Sequence, residues 1–195
     1  MVNKASKGST FERQICATLS RWWTQDLKEP RTDIFWRTAG SGARASARSK
    51  RGRRTANQYG DLCAIDPTGQ PFVDLITTEI KRGYNRHTVA DLLDKPCKAK
   101  TQMYEDWFVK AQCDHERAGS FSWLLIAKRD LREPLVFMPK ILEVGLYDAG
   151  SRFSYPCLWL TLDKSSGPFD IVGVTFRQFL IGVDPEHIRQ LVKEV

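Results

Sequence analysis

The chain has 195 residues, of which 42% are hydrophobic and 27% charged, as in ordinary soluble globular proteins. No apolar run approaches the roughly 20 residues that span a bilayer, and the N-terminus lacks the apolar segment of a secretory signal. We therefore expect a cytoplasmic protein that does not bind membranes. The net charge of +7 favours a polyanionic partner.

The length predicts one domain over residues 1–195, with a core over about 7–130 and a C-terminal extension over 131–195. The five cysteines are scattered and include no CxxC pair, which indicates reduced thiols. The histidines are isolated, and no GxSxG, HExxH or P-loop pattern occurs. Nucleophilic catalysis, zinc hydrolysis and an organic cofactor therefore have little support.

The first predicted element is a helix that begins at Ser9 and carries Phe11, Ile15 and Leu19 at helical spacing. Glu12 lies beside this apolar stripe and has two interpretations. Its carboxylate points inward to a site, or it forms a capping box with Ser9 and bonds to the backbone there.

A short strand is predicted over 34–38. The segment from Ala43 to Gln58 follows, with no acidic and no large aliphatic residue, and we expect a mobile basic loop there. Its basic residues are Arg44, Arg48, Lys50, Arg51, Arg53 and Arg54. Such a loop is either solubilising or a contact for the phosphate backbone, and its one-signed charge just before Asp61 favours nucleic acid.

Residues 60–83 are interpreted as a β-hairpin with strands over Leu62–Asp66 and Phe72–Arg82 and a turn at Pro67–Pro71. Side chains alternate along a strand, so Glu79 and Lys81 share one face, together with Val73 and Leu75. Counting back from the turn places Asp61 or a close neighbour opposite Glu79.

This pairing would bring two carboxylates and one ammonium group to one end of a sheet. Like charges opposite each other destabilise paired strands unless they take up protons or bind a cation. Magnesium suits such a site, because it prefers oxygen ligands. Alternatively, Glu79 and Lys81 form a solvated ion pair and Asp61 is an ordinary turn residue.

Further elements complete a mixed α/β pattern. A helical turn is predicted over 89–93, helices over 99–117 and 175–181 and from 184 onward, and strands over 121–127, 135–138, 157–162 and 171–174. The apolar strand over 121–127 suits the middle of a sheet that is covered on both faces. Beyond Arg132 no constellation indicates chemistry.

The order of these elements and motifs resembles the PD-(D/E)XK nuclease superfamily and, over residues 7–127, the archaeal-type Holliday junction resolvases. The matching motifs are Lys7-Gly8-Ser9-x-x-Glu12-Arg13, Arg37-x-Ala39-Gly40-Ser41-Gly42, Gly60-Asp61, Glu79-Ile80-Lys81 and the helix that bears Gln102. Tyr59-Gly60 replaces the usual proline before the aspartate. The basic loop and the C-terminal third also exceed a minimal resolvase, which puts the preferred DNA structure in doubt.

The resemblance implies an α-β-β-β-α-β core with a mixed central sheet flanked by helices. Glu12, Asp61 and Glu79 would bind Mg²⁺, or Mn²⁺ in its place, with the Ile80 carbonyl. Lys81 would assist the attacking water. Ser41 would lie near the site on a flexible loop, Gln102 would support it, and Arg37 and Arg82 would join the basic loop in binding DNA.

We therefore expect a metal-dependent DNA endonuclease that is structure-selective and resembles a Holliday junction resolvase. Symmetric cutting of branched DNA would favour a homodimer. An alternative is a restriction, repair or mobile-element nuclease that acts on duplex or flapped DNA. Another is a non-catalytic DNA-binding protein on the same scaffold, and a protein-interaction module ranks last.

Overall fold

The computed structural model describes residues 4–38, 59–94, 102–153, 157–163 and 167–195. The helices in these ranges are α1 (Lys4–Trp23), α2 (Gln70–Leu75), α3 (Met103–Ala118), α4 (Lys140–Asp148), α5 (Phe176–Gly182) and α6 (Pro185–Glu194). The strands are β1 (Phe35–Arg37), β2 (Leu62–Ala64), β3 (Ile76–Arg82), β4 (Ser122–Lys128), β5 (Leu135–Pro139), β6 (Leu158–Leu162) and β7 (Phe169–Thr175). Turns of 3₁₀ helix lie at Pro67–Gly69 and Val89–Leu92.

The central sheet has five strands in the order β3-β4-β5-β7-β6. Strands β3 and β4 are parallel and are connected through α3, whereas the other neighbouring pairs are antiparallel. Strands β1 and β2 form a separate antiparallel pair. The predicted mixed α/β fold with a central sheet flanked by helices is therefore confirmed.

Apolar side chains cover both faces of the sheet. Leu124 and Ile126 of β4 belong to a core cluster with α1, while Trp123 and Leu125 belong to a second cluster with α3. This alternation explains why β4 is apolar at successive positions. Because Glu79 pairs with Leu125 across β3 and β4, its side chain lies on the α3 face of the sheet.

The C-terminal third packs into the same core cluster as α1, through residues such as Leu142, Val172 and Leu191. Helix α4 was not among the predicted elements. It contains Gly145, and glycine lowers helix propensity, but here the missing side chain lets Leu191 of α6 pack closely. A Cβ at Gly145 would lie 3.1 Å from the Leu191 side chain.

The predicted hairpin is wrong. Strand β2 pairs with β1, and residues Phe72 to Leu75 lie in α2 rather than in a strand, so Val73 and Leu75 do not share a strand face with Glu79. The side chain of Asp66 accepts a hydrogen bond from the Thr68 N–H and starts a helical turn where a hairpin turn was expected. Phe72 then packs edge-on against Trp22 and Trp23, which stabilises the helical path.

The predicted start of the first helix is also wrong. Helix α1 begins at Lys4, so Ser9 is an interior residue and does not form an N-terminal capping box with Glu12. Gly8 within this segment costs roughly 1 kcal/mol of helix propensity, which a helix of 20 residues tolerates.

The other predicted elements agree with the structure apart from their ends. Thr175 and Asp184 are the N-caps of α5 and α6 and lie at the predicted starts of these helices. Cys16, Cys63, Cys113 and Cys157 are free thiols. In the part of the chain that the structure describes, no helix is both long and apolar enough to cross a membrane. The predicted basic loop over 43–58 lies outside the described residues.

Candidate active site

Gly60 brings Asp61 into contact with β3. Its φ of +75° is a conformation that favours glycine, and a Cβ there would lie 2.6 Å from the Thr78 carbonyl oxygen. The Asp61 N–H donates to that same oxygen at 2.7 Å, and the Asp61 carbonyl accepts from the Thr38 N–H at 3.1 Å. Asp61 is therefore held at the edge of β3 without a hairpin.

Asp61, Glu79 and Lys81 meet at this edge, as predicted. Lys81 Nζ lies 2.5 Å from Glu79 Oε2 and 3.2 Å from Asp61 Oδ2. The Ile80 N–H donates to the same Asp61 oxygen at 2.8 Å. Only 5% of Asp61 and 1% of Glu79 is exposed, so these carboxylates are core groups and not a solvated surface pair.

Lys110 is a fourth member of the site and is not among the residues predicted from the sequence. Its Nζ lies 2.5 Å from Glu79 Oε1 and 2.6 Å from Asp114 Oδ2. Only a local signal exists in the sequence: Lys110 and Asp114 are one turn apart on the helix that follows Glu79, but nothing there places them at this carboxylate. In the sequence, however, the aromatic residues of this helix indicated only a core face.

Burial and charge act against each other in the pKa values of this group. Burial, followed by the charge of Glu79, raises the pKa of Asp61 above its ordinary value despite the nearby Lys81. Burial also acts to raise the pKa of Glu79, but the ammonium groups of Lys81 and Lys110 outweigh it and lower that pKa. Burial acts to lower the pKa of Lys81, whereas Asp61 and Glu79 more than reverse this and raise it.

Glu12, the predicted third carboxylate, forms an ion pair with Arg37, whose Nε lies 2.8 Å from Glu12 Oε2. Within the described ranges, no three His, Cys, Asp or Glu side chains are grouped so that they could hold a metal ion. Arg82 Nε lies 3.3 Å from Asp130 Oδ1, and its guanidinium lies over the Phe11 ring.

Two further predicted positions lie in regular elements. Ile80 is buried in β3, and Gln102 is the N-cap residue of α3, where its N–H donates to Glu105 Oε2 at 3.3 Å. The predicted positions outside the described residues are Ser41, Arg44, Arg48, Lys50, Arg51, Arg53 and Arg54.

The oxygens of Asp61 and Glu79 are the donor set that a hard divalent cation prefers. Both carboxylates hold ammonium groups in a buried position, so their oxygens already bind cationic groups here. The buried carboxylates can hold a cation, and the lysine beside them can donate hydrogen bonds to a phosphate oxygen. The residues therefore fit a divalent metal, with Asp61 and Glu79 as the ligands that the geometry supports.

A mixed sheet with an Asp next to a Glu-x-Lys strand defines the PD-(D/E)XK class of nucleases. The chain matches the model of the family described as "Phage putative PDDEXK endonuclease" over residues 3–190. It therefore belongs to this family, which supports a nuclease and hence a hydrolase. No curated protein and no solved structure matches the chain.

Proposed function

We propose that the protein is a Mg²⁺-dependent endonuclease that hydrolyses backbone phosphodiesters of DNA. The observation that carries this proposal is the Lys81 ammonium shared between the buried carboxylates of Asp61 and Glu79. Family membership supports a nuclease, while DNA as substrate and Mg²⁺ as the metal are our own assignments.

Asp61 and Glu79 would hold the metal together with the Ile80 carbonyl, and Glu12 would join them on leaving its ion pair with Arg37. When bound, the metal stabilises the negative charge that develops on the scissile phosphate. The Asp61 side chain is oriented by the Ile80 N–H, so the ligand geometry is supported by the backbone of β3.

Lys81 is assigned to hydrogen bonding and charge stabilisation rather than to proton abstraction. In the metal-free chain its acidic neighbours raise its pKa, so the side chain is an ammonium group there. An ammonium group here would orient the attacking water and donate to a phosphate oxygen. Interactions of this kind typically contribute about 10²–10³-fold in rate.

Binding of the polyanion is assigned to the basic residues of the segment over 43–58, together with Arg37 and Arg82. The net charge of +7 supports a nucleic acid partner. The resolvase-like motifs favour branched DNA and a homodimer. A duplex or flap nuclease is the second candidate, because the family match extends to residue 190, well past the resolvase-like residues 7–127.

The proposal is tested by incubating the full chain with end-labelled four-way junction, flap and linear duplex, each with Mg²⁺ and with EDTA. We expect Mg²⁺-dependent cleavage by the wild-type chain and none by Glu79→Gln. Cleavage of the junction in preference to the others supports the resolvase-like assignment, and the reverse preference supports the second candidate. If the chain binds these DNA substrates but cleaves none of them, it is a DNA-binding protein without nuclease activity.

A further inference from the structure

Both oxygens of the Glu79 carboxylate are occupied by ammonium groups. Lys81 Nζ lies 2.5 Å from Oε2, and Lys110 Nζ lies 2.5 Å from Oε1. The two lysines come from different elements, β3 and α3, and approach the carboxylate from two directions. Removing all cations from a buried carboxylate is costly, so this arrangement keeps Glu79 ionised.

The two lysines differ in their exposure to solvent. The side chain of Lys81 is 18% exposed and that of Lys110 is 47% exposed, while the Glu79 side chain is 2% exposed. Lys110 therefore reaches Glu79 from the rim of the site, where a cation or a phosphate arrives from solution. Of these two ammonium groups, the one from Lys110 can leave Glu79 without crossing the protein interior.

Asp114 gives Lys110 a second partner on its own helix. Lys110 Nζ lies 2.6 Å from Asp114 Oδ2, and the Asp114 side chain is only 10% exposed. The other oxygen of Asp114 faces Arg117 Nη1 at 3.6 Å. An ammonium group displaced from Glu79 would thus remain bound at the rim of the site.

We propose that Lys110 is a positioning residue that occupies Glu79 Oε1 in place of the divalent cation, yields that oxygen when the cation binds, and then presents its ammonium group to DNA phosphate. A divalent ion at Glu79 repels the ammonium group, and Asp114 retains it. This inference rests on the proposed function, because it assumes that Glu79 is a metal ligand.

Competition of this kind makes opposite predictions for two substitutions. Lys110→Met removes the competitor, so the chain should bind the cation more tightly. Asp114→Asn removes the group that draws Lys110 away from Glu79, so the chain should bind the cation more weakly. Both substitutions also change the net charge near the cation, and this alone alters the affinity for the cation. A double-mutant cycle separates the two effects, because Asp114→Asn acts on Glu79 through Lys110 and has no such effect once Lys110 is absent.

The experiment is calorimetric titration of the full chain with Mn²⁺ and with Mg²⁺, without DNA. We expect affinity to rise at least threefold in Lys110→Met, to fall at least twofold in Asp114→Asn, and to stay near wild type in Lys110→Arg. The Asp114→Asn effect should shrink by more than half in the Lys110→Met background. Arg117→Met, which removes an equal charge from the same helix, should change affinity less than Lys110→Met does.

Equal affinities of wild type and Lys110→Met, or equal effects of Arg117→Met and Lys110→Met, would overturn the inference. If Lys110→Met fails to fold, unchanged or tighter cation binding by Asp114→Asn overturns it as well. A different result would refute the proposed function: the substitutions change cation affinity as expected, but the wild-type chain cuts no DNA. The two failures are therefore distinguishable.

The proposed contact between Lys110 and DNA phosphate is tested by measuring DNA binding in the presence of Ca²⁺. Ca²⁺ prefers oxygen ligands, and in its presence the amount of bound DNA can be measured without relying on turnover. Lys110→Met should lower the slope of log affinity against log salt by about 1, as for one lost phosphate contact. The slope should be unchanged without Ca²⁺, because Lys110 is then held by Glu79. An equal loss with and without Ca²⁺ would overturn this part.

Discussion

The α-carbon of Gly60 lies directly against the backbone of Thr78, so that a Cβ at residue 60 would come within 2.6 Å of the Thr78 carbonyl oxygen. That oxygen accepts the Asp61 N–H at 2.7 Å. The Asp61 carboxylate consequently reaches the Ile80 N–H and Lys81. Placement of the candidate site thus depends on the absence of a side chain at Gly60.

Gly60→Ala should destabilise the fold and disturb Asp61. The clash with Thr78 adds to the strain of a positive φ, and we expect a loss of about 1–3 kcal/mol in the free energy of unfolding. Gly119→Ala is a matched control, because Gly119 also has a φ of +75° but has no atom near the position of a Cβ. Urea denaturation measures the free energy of unfolding of both variants, and the difference between them gives the cost of the close contact with Thr78. Equal losses of stability in the two variants would show that this contact costs nothing.

Lys81→Met should slow cleavage strongly while DNA binding changes less than threefold. We expect the rate to fall by about 10²-fold or more, because the ammonium group is lost where phosphate charge develops. Single-turnover cleavage and a binding titration in Ca²⁺ measure the two effects. Lys193→Met, on the exposed face of α6, should leave both unchanged.

The same variant should be less stable than wild type in EDTA, because Asp61 and Glu79 then share fewer positive partners in a buried position. Mg²⁺ should restore part of the lost stability by binding to the folded state.

Unchanged cleavage by Lys81→Met would remove the assigned role of this lysine.

The convergence of Asp61, Glu79 and Lys81 could be predicted from the sequence, although the predicted path between them was wrong. Alternation along one strand is local information, and it correctly placed Glu79 and Lys81 on one face. The hairpin failed because Asp66 and Pro67 start a helical turn and Phe72 finds a place among core aromatics. Asp61 reaches β3 through the tight contact at Gly60, which needs knowledge of the tertiary fold.

Lys110 illustrates what the sequence could not provide. Its neighbours Phe108 and Ala111 are buried, and they give α3 the pattern of an ordinary core helix. Only the crossover of α3 from β3 to β4 places Lys110 above Glu79. Likewise, Gly145 obscured α4 because its packing against Leu191 is a contact between segments far apart in the chain.

Asp61→Asn should stabilise the metal-free chain, and the gain should grow with pH. The folded state raises the pKa of Asp61 above the ordinary value of 3.8, so folding favours the protonated form. Protonation of Asp61 stabilises the folded state fully at pH values below the pKa that Asp61 has in the unfolded chain. This stabilisation is lost as pH rises through the higher pKa that Asp61 has in the folded chain. Asparagine does not titrate and avoids this loss.

Thermal melts in EDTA from pH 3.5 upward measure the difference in Tm between Asp61→Asn and wild type. The difference should increase above pH 3.8 and level off once Asp61 is ionised. If the difference in Tm stays constant with pH, the ionised carboxylate of Asp61 does not destabilise the folded chain.

Glu12→Gln tests whether this carboxylate is more than the partner of Arg37. As a third metal ligand, its loss should weaken Mg²⁺ binding by about threefold to tenfold, or roughly 0.7–1.4 kcal/mol. Arg37→Met should strengthen Mg²⁺ binding, because it frees the Glu12 carboxylate. Calorimetry without DNA measures both, and unchanged affinity in Glu12→Gln would assign it to the ion pair alone.

The basic segment over 43–58 should determine the salt dependence of DNA binding and leave the chemistry intact. Its six basic residues contribute at most six phosphate contacts, and each contact adds about 0.9 to the slope of log affinity against log salt. Replacing all six with glutamine should therefore reduce that slope by up to about 5. Replacing Arg44, Arg48 and Lys50 alone should reduce it by up to about 3.

Loss of these charges should weaken capture of DNA and not the cleavage step, since Asp61, Glu79 and Lys81 are unchanged. At low salt and saturating DNA, the six-residue variant should cleave within about threefold of the wild-type rate, because each missing phosphate contact acts on binding. Arg177→Gln with Lys193→Gln, on α5 and α6, is a control that removes basic residues elsewhere, and it should leave the slope unchanged. A single-turnover rate that falls together with affinity would instead place this segment in the catalytic step.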